Sequence, residues 1–112
     1  MIKNRIALLL DQRFKEEADF LKIAKEWLEA QRDIKCIRVS DRYQKGYSDL
    51  FLCVRGQFVV AELKDDIGTA SPHQELFIAD VIRAGGIGAV CYTLRDIQCL
   101  VDEARNRRPE WT

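Results

Sequence analysis

The sequence predicts a single α/β domain, a mixed β-sheet flanked by helices in the order α-β-β-β-α-β-α, and three stretches carry that prediction. An amphipathic run near the N-terminus has helical spacing. Two apolar runs then bracket a tight turn, and a fully punctuated helix leads through two glycines into a short buried strand. At 112 residues the chain is near the commonest domain size, so residues 1–112 are read as one unit with a core of its own.

In "RFKEEADFLKIAKEWLEAQ" the spacing of Phe14, Ala18, Leu21, Ala24 and Leu28 predicts the first helix. "KCIRVS" alternates weakly and predicts a short first strand. Asp49–Val54 and Gln57–Lys64 are rich in β-branched and aromatic residues, and predict the second and third strands. The next helix carries its own boundaries: Ser71 as N-cap, Pro72 in the first turn, Gly85 and Gly86 at the end. "GAVCYT" predicts a buried strand. The last helix starts after Thr93 and buries Leu94, Ile97, Leu100, Val101 and Ala104.

Lysine plus arginine and aspartate plus glutamate both total 18, so net charge gives no hint of a nucleic-acid or membrane partner. A local basic stretch, Arg32, Lys35, Arg38, Arg42 and Lys45, reads by itself as a solvated face. The apolar run from Ile6 to Leu10 is too short for a signal peptide or a membrane span, which leads to the expectation of a cytoplasmic protein. Cys36, Cys53, Cys91 and Cys99 lack metal-binding spacing and are expected to be buried reduced thiols.

The hairpin raises the chemical question. A two-residue loop at Arg55-Gly56 pairs Val54 with Gln57 and, counting back, Asp49 with Glu62. Alternation then puts Asp49, Phe51, Cys53, Phe58, Val60, Glu62 and Lys64 on one face. Leu50, Leu52, Val54, Val59, Ala61 and Leu63 line the other, so both faces are apolar and helices are expected to cover both. Two acids opposite each other across strands repel, and burial beside Phe51 and Val60 raises the cost. A divalent cation with oxygen ligands is the simplest compensation, and Lys64 is within reach of a group bound to it. The plainer reading, solvated strand-end charges with Lys64 as their ion pair, suits any one of the three better than all three together. A one-residue slip in register removes the inference.

Each helix adds a polar residue at its apolar centre. Glu17 lies almost on the stripe of Phe20, Leu21, Ala24 and Leu28, with Glu16 on its flank. Dipole stabilisation at a helix N-terminus is an equally good account of that acid. Gln74 lies on the face of Phe77, Ile78, Val81 and Ala84, and has capping-box spacing from Ser71. Capping and facing a site are compatible roles. His73 is read as a solvated first-turn residue.

"KGYSD", "VVAELK" and "SPHQELF", taken together, resemble the motif set G-x-P-D … E-x-K … S-P-x-Q of the virus-type replication-repair nuclease (VRR-NUC) family, within the PD-(D/E)xK nuclease superfamily. The resemblance runs from about Glu17 to Thr93. It departs at Ser48, where the family often has proline. It implies a restriction-endonuclease-like core and a metal-dependent DNA phosphodiesterase acting on branched structures. Carried over by position, it makes Asp49, Glu62, the Leu63 carbonyl and Glu17 metal ligands, with Glu16 as the alternative first-helix acid. Lys64 would orient the attacking water or stabilise the phosphate, and Gln74 would help to position the site.

One or two Mg²⁺ or Mn²⁺ ions are the expected cofactors, with no organic cofactor, because hard oxygen ligands with no histidine or cysteine nearby suit them. The basic stretch then gains meaning, with Arg38, Arg42, Lys45 and Tyr47 as expected DNA contacts giving salt-sensitive, sequence-independent binding. A homodimer with two sites would suit a four-way junction, with the segments of Trp27 and Trp111 as candidate interface, in a bacterial or phage-infected cell. The competing classes are a non-catalytic DNA-binding module of the same fold and a small interaction domain.

Overall fold

The computed structural model describes residues 7–39 and 47–107. Among the described residues, a short helical segment at 7–9, which the sequence did not predict, precedes seven elements in the predicted order: α1 (Glu17–Glu29), β1 (Ile34–Arg38), β2 (Leu50–Val54), β3 (Gln57–Leu63), α2 (Pro72–Arg83), β4 (Ile87–Cys91) and α3 (Leu94–Asn106). The strands form one mixed sheet in the order β1-β2-β3-β4. The first three are antiparallel, and β4 runs parallel to β3 after the α2 crossover.

The hairpin has the register its turn dictates. Arg55 and Gly56 both take positive φ, 49° and 83°, as a two-residue turn matched to strand twist requires, and Val54 pairs with Gln57. Asp33 ties the hairpin tip to β1 and α3: its carboxylate accepts from Arg55 Nε at 2.8 Å and from Arg105 Nη2 and Nε at 2.8 and 2.9 Å. These bonds hold the Asp33 carboxyl well below the usual carboxylate range, with Arg105 contributing most.

α1 and α3 cover one sheet face, where Phe20, Ala24, Leu28, Leu50, Leu52, Val59, Ile97 and Val101 form the main core. On the other face α2 seats Ile78 and Val81 on Val60. Gly88 permits that packing, since a Cβ there would meet Val60 Cγ2 at 2.7 Å and Ile78 Cγ2 of α2 at 3.3 Å. The expectation that helices cover both faces fully is corrected here. α2 lies mainly over β3 and β4 and meets β2 where Phe77 stacks on Phe51, while Ile37 on β1 and Phe58 at the hairpin end of β3 stay exposed.

Three further readings are corrected. α1 begins at Glu17 rather than Arg13, because Glu16 is extended. Phe14 precedes the helix and stacks on Phe20 at 5.1 Å between centroids. β2 begins one residue after Asp49, and β3 ends one before Lys64. The thiols are free, but only Cys91 is buried; Cys36 is half-buried, and Cys53 and Cys99 face solvent. Among the described residues, no helix is long and apolar enough to cross a membrane. Arg42, Lys45 and Trp111 lie outside the described residues.

Candidate active site

The candidate site forms where β2 begins and β3 ends. Backbone bonds continue the sheet on both sides of it: Val39 N–H donates to the Asp49 carbonyl at 2.9 Å, and Lys64 N–H to the Cys91 carbonyl at 3.0 Å. Asp49 stands one residue before the β2–β3 pairing begins at Leu50, and its carboxylate turns across to accept from the Leu63 N–H at 2.8 Å. That bond replaces the ladder partner Leu63 would otherwise lack, and fixes the Asp49 carboxylate beside Glu62.

Glu62 has a side chain only 1% exposed, in a strand buried on both faces. One oxygen is well served: Oε2 accepts from Gln74 Nε2 at 2.9 Å and pairs with Lys64 Nζ at 3.3 Å. The other, Oε1, is buried without a hydrogen-bond partner. Burial pushes the Glu62 carboxyl up to about 8, and the neighbouring Asp49 charge adds to the rise while Lys64 opposes it. An orphaned carboxylate oxygen in a protein interior is costly and calls for an explanation such as an ion or a water.

Gln74 serves two elements at once. The capping box is complete: Ser71 Oγ accepts from the Gln74 N–H at 3.2 Å, and Gln74 Oε1 accepts from the Ser71 N–H at 2.9 Å. The same side chain donates through Nε2 to Glu62. The cap thus locks the rotamer that orients the buried acid.

On the α1 side, Glu17, Ala18, Leu21, Arg38, Asp49 and Leu63 line a cleft of about 180 Å³. Glu17 is the first residue of α1, and partial burial raises its carboxyl, with Asp49 and then Asp65 adding to the rise while Lys64 and Arg38 oppose it. Glu16 is the N-cap residue and exposed; Glu17, not Glu16, lines the cleft. Asp49 therefore interacts with acids on both sides, Glu62 towards α2 and Glu17 towards α1. Among the described residues, no three acidic, histidine or cysteine side chains converge as a ready ligand set. Side chains that close on an ion here would have to do so with main-chain oxygen and water.

Arg38 reaches the cleft, whereas Tyr47 does not line it. The Tyr47 ring packs on Phe77 at 5.1 Å and Phe51 at 6.1 Å, on the α2 side. His73 is exposed, in keeping with its sequence reading. Two participants escaped that reading. Asp65 adds negative charge near Glu17, signalled only by its place directly after Lys64, and Ser48 is buried with an unpartnered hydroxyl.

This fold, with paired carboxylates and a lysine at the end of a hairpin, defines a nuclease-like α/β domain. No protein-family model matches the sequence, and no curated protein does either. Among solved structures, the chain is similar to one described as a VRR_NUC domain, at 25% identity and a TM-score of 0.64, over 77% of this chain and 94% of that one. The match supports membership of the VRR-NUC family and gives the domain its nuclease fold.

Proposed function

We propose that the domain is a divalent-metal-dependent DNA endonuclease, selective for four-way or flapped structures and largely indifferent to sequence. The observation that carries this reading is Glu62: a carboxylate sealed from solvent, held by Gln74 and Lys64, with its second oxygen unpartnered beside Asp49. The donors fit Mg²⁺ or Mn²⁺, since all are hard oxygens and the described site holds no histidine or thiol to favour a softer metal. Asp49, Glu62 and the Leu63 carbonyl would hold the ion, with Glu17 facing it across the cleft. One or two such ions, when bound, neutralise phosphate oxygens, activate water and stabilise the leaving alkoxide.

The chain's own groups do the rest. Lys64 lies against Glu62, where its ammonium meets the negative charge that builds on a phosphate under attack, and it can orient the incoming water. Gln74 keeps Glu62 in one rotamer, so the carboxylate needs no reorganisation as the substrate arrives. Arg38, on the cleft wall, is placed to take a backbone phosphate, and Arg42 and Lys45 extend that role, whereas Tyr47, packed on Phe77 and Phe51 on the α2 side, is set apart from it. Contacts of this kind give affinity without reading bases. A homodimer would present two such sites to a branch point.

A cleavage panel of linear, flapped and four-way DNA, with Mg²⁺, Mn²⁺ or chelator, tests the proposal. Cutting of the branched substrates with metal, lost in Asp49→Ala, is expected. If the panel stays intact with both metals while DNA still binds, the domain is a binding module and the reading fails.

A further inference from the structure

The loop that follows Lys64 is pinned at several points, yet it holds an isoleucine out to solvent. Both backbone groups of Asp66 are bound to the segment before α1. Its N–H donates to the Phe14 carbonyl at 2.7 Å, and its carbonyl accepts from Arg13 Nη2 at 2.9 Å. Arg13 in turn lies over the Tyr92 ring, 4.6 Å from the centroid. The Ile67 N–H donates to Asp65 Oδ1 at 3.2 Å, which closes a side-chain turn. Gly68 then folds back onto the lysine stem: a Cβ there would meet Lys64 Cδ at 3.4 Å and Asp65 Oδ1 at 2.9 Å. At the crest of this loop Ile67 is 87% exposed. One open isoleucine on a protein surface is ordinary. This one is set apart by its fixed backbone and by its neighbour's contact with Lys64.

We propose that Ile67 is a specificity residue, a wedge that packs on the open face of a base at a DNA branch point while the adjoining phosphate lies at Glu62 and Lys64. This role rests on the DNA site proposed above, and gives that site its preference for branches. An aliphatic side chain gains nothing from phosphate, which Arg38 and Lys64 are placed to serve. What it can bury against is the face of a base. In continuous duplex those faces are covered by their stacking neighbours, so a wedge must first force a step apart. Isoleucine is among the side chains that do this, and the unstacking required is least where stacking is already broken. A branch point offers such faces and a linear duplex does not. Burying this one side chain then favours the branched substrate by about tenfold. The pinned loop adds to the effect, because a backbone ordered before binding loses little further freedom on insertion.

Fluorescence of 2-aminopurine, dark when stacked and bright when unstacked, tests the proposal. The base is placed beside the branch point of a four-way junction, and in the same sequence as linear duplex. Full-length protein is titrated into each in low salt with chelator, so no strand is cut. The wild type is expected to brighten the junction on binding and to leave the duplex dark. Ile67→Ser should abolish most of the brightening and lower the ratio of junction to duplex affinity about tenfold. Ile67→Leu should keep both. Melting of either variant should match the wild type, because the side chain is solvent-exposed. Ile82→Ala, at a 52% exposed position near the far end of α2, should change neither reading. Junction binding without brightening, equal brightening by Ile67→Ser, or binding of neither DNA overturns the proposal. Brightening that depends on Ile67, with no cutting in Mg²⁺ or Mn²⁺, removes the nuclease reading and leaves the wedge standing.

Discussion

Replacing Glu62 by glutamine should make the metal-free protein more stable while removing its chemistry. Glu62 carries a folded-state pKa of about 8 against an ordinary 4.5, so the folded chain holds an extra proton between those values. Stability of the metal-free protein therefore falls as pH rises through that window, and the full cost is present above about pH 8. At pH 7 the gap is about 2.5 pH units above the ordinary value, or at most about 3 kcal/mol at 1.36 kcal/mol per unit. The neutral amide escapes that cost. Its oxygen can still accept from Gln74 and Lys64, and its NH₂ can donate to Asp49. With some of the gain lost to imperfect geometry, Glu62→Gln should stabilise by about 1–2 kcal/mol, or about 4–15 °C in melting temperature for a domain of this size. Thermal melts at pH 5 and pH 8 in chelator, then with Mg²⁺, read this directly. The variant should exceed the wild type at pH 8, converge with it at pH 5, and gain nothing from metal. A variant that melts below the wild type at pH 8, or that gains as much from Mg²⁺, refutes the reasoning.

Gln74→Ala removes one bond from the cap and one from the buried acid. It should cost about 1–3 kcal/mol in chemical denaturation and slow cleavage more than Ser71→Ala, which disturbs the cap alone. Asp33→Ala frees Arg105 and Arg55 and should lower the melting temperature without changing metal response. Because the Asp33 pKa is depressed in the fold, its contribution is present above the ordinary carboxylate range and lost as pH falls below it. The Asp33→Ala and wild-type melting curves should therefore draw together in acid, and a gap that persists there counts against the assignment.

Much of this was legible in the chain because the signals were local. Arg55-Gly56 specified the turn, the turn set a register that runs to Leu50 with Ala61, and just beyond it Asp49 comes near enough to Glu62 to raise its carboxyl. Ser71 with Gln74 announced a capping box and Thr93 an N-cap, and both formed; Asp96 completes a second capping box that the sequence reading did not name. What stayed hidden depends on tertiary reach. Alternation shows that Ile37 and Phe58 belong to an apolar face, but not that α2 stops short of them. The same limit hid the exposure of Cys53. Helical spacing counted Phe14 into α1, although it meets Phe20 from the non-helical segment before it. The turn of the Asp49 carboxylate onto the Leu63 N–H has no sequence signal at all, because it answers a gap in the ladder.

The most direct test is calorimetric titration of Mn²⁺ into the wild type, Asp49→Asn and Glu62→Gln at pH 8. If the two acids hold a cation together, the wild type binds it saturably and each single amide substitution weakens binding at least tenfold. Identical isotherms for all three proteins, or no binding by the wild type, would contradict a metal centre at this pair.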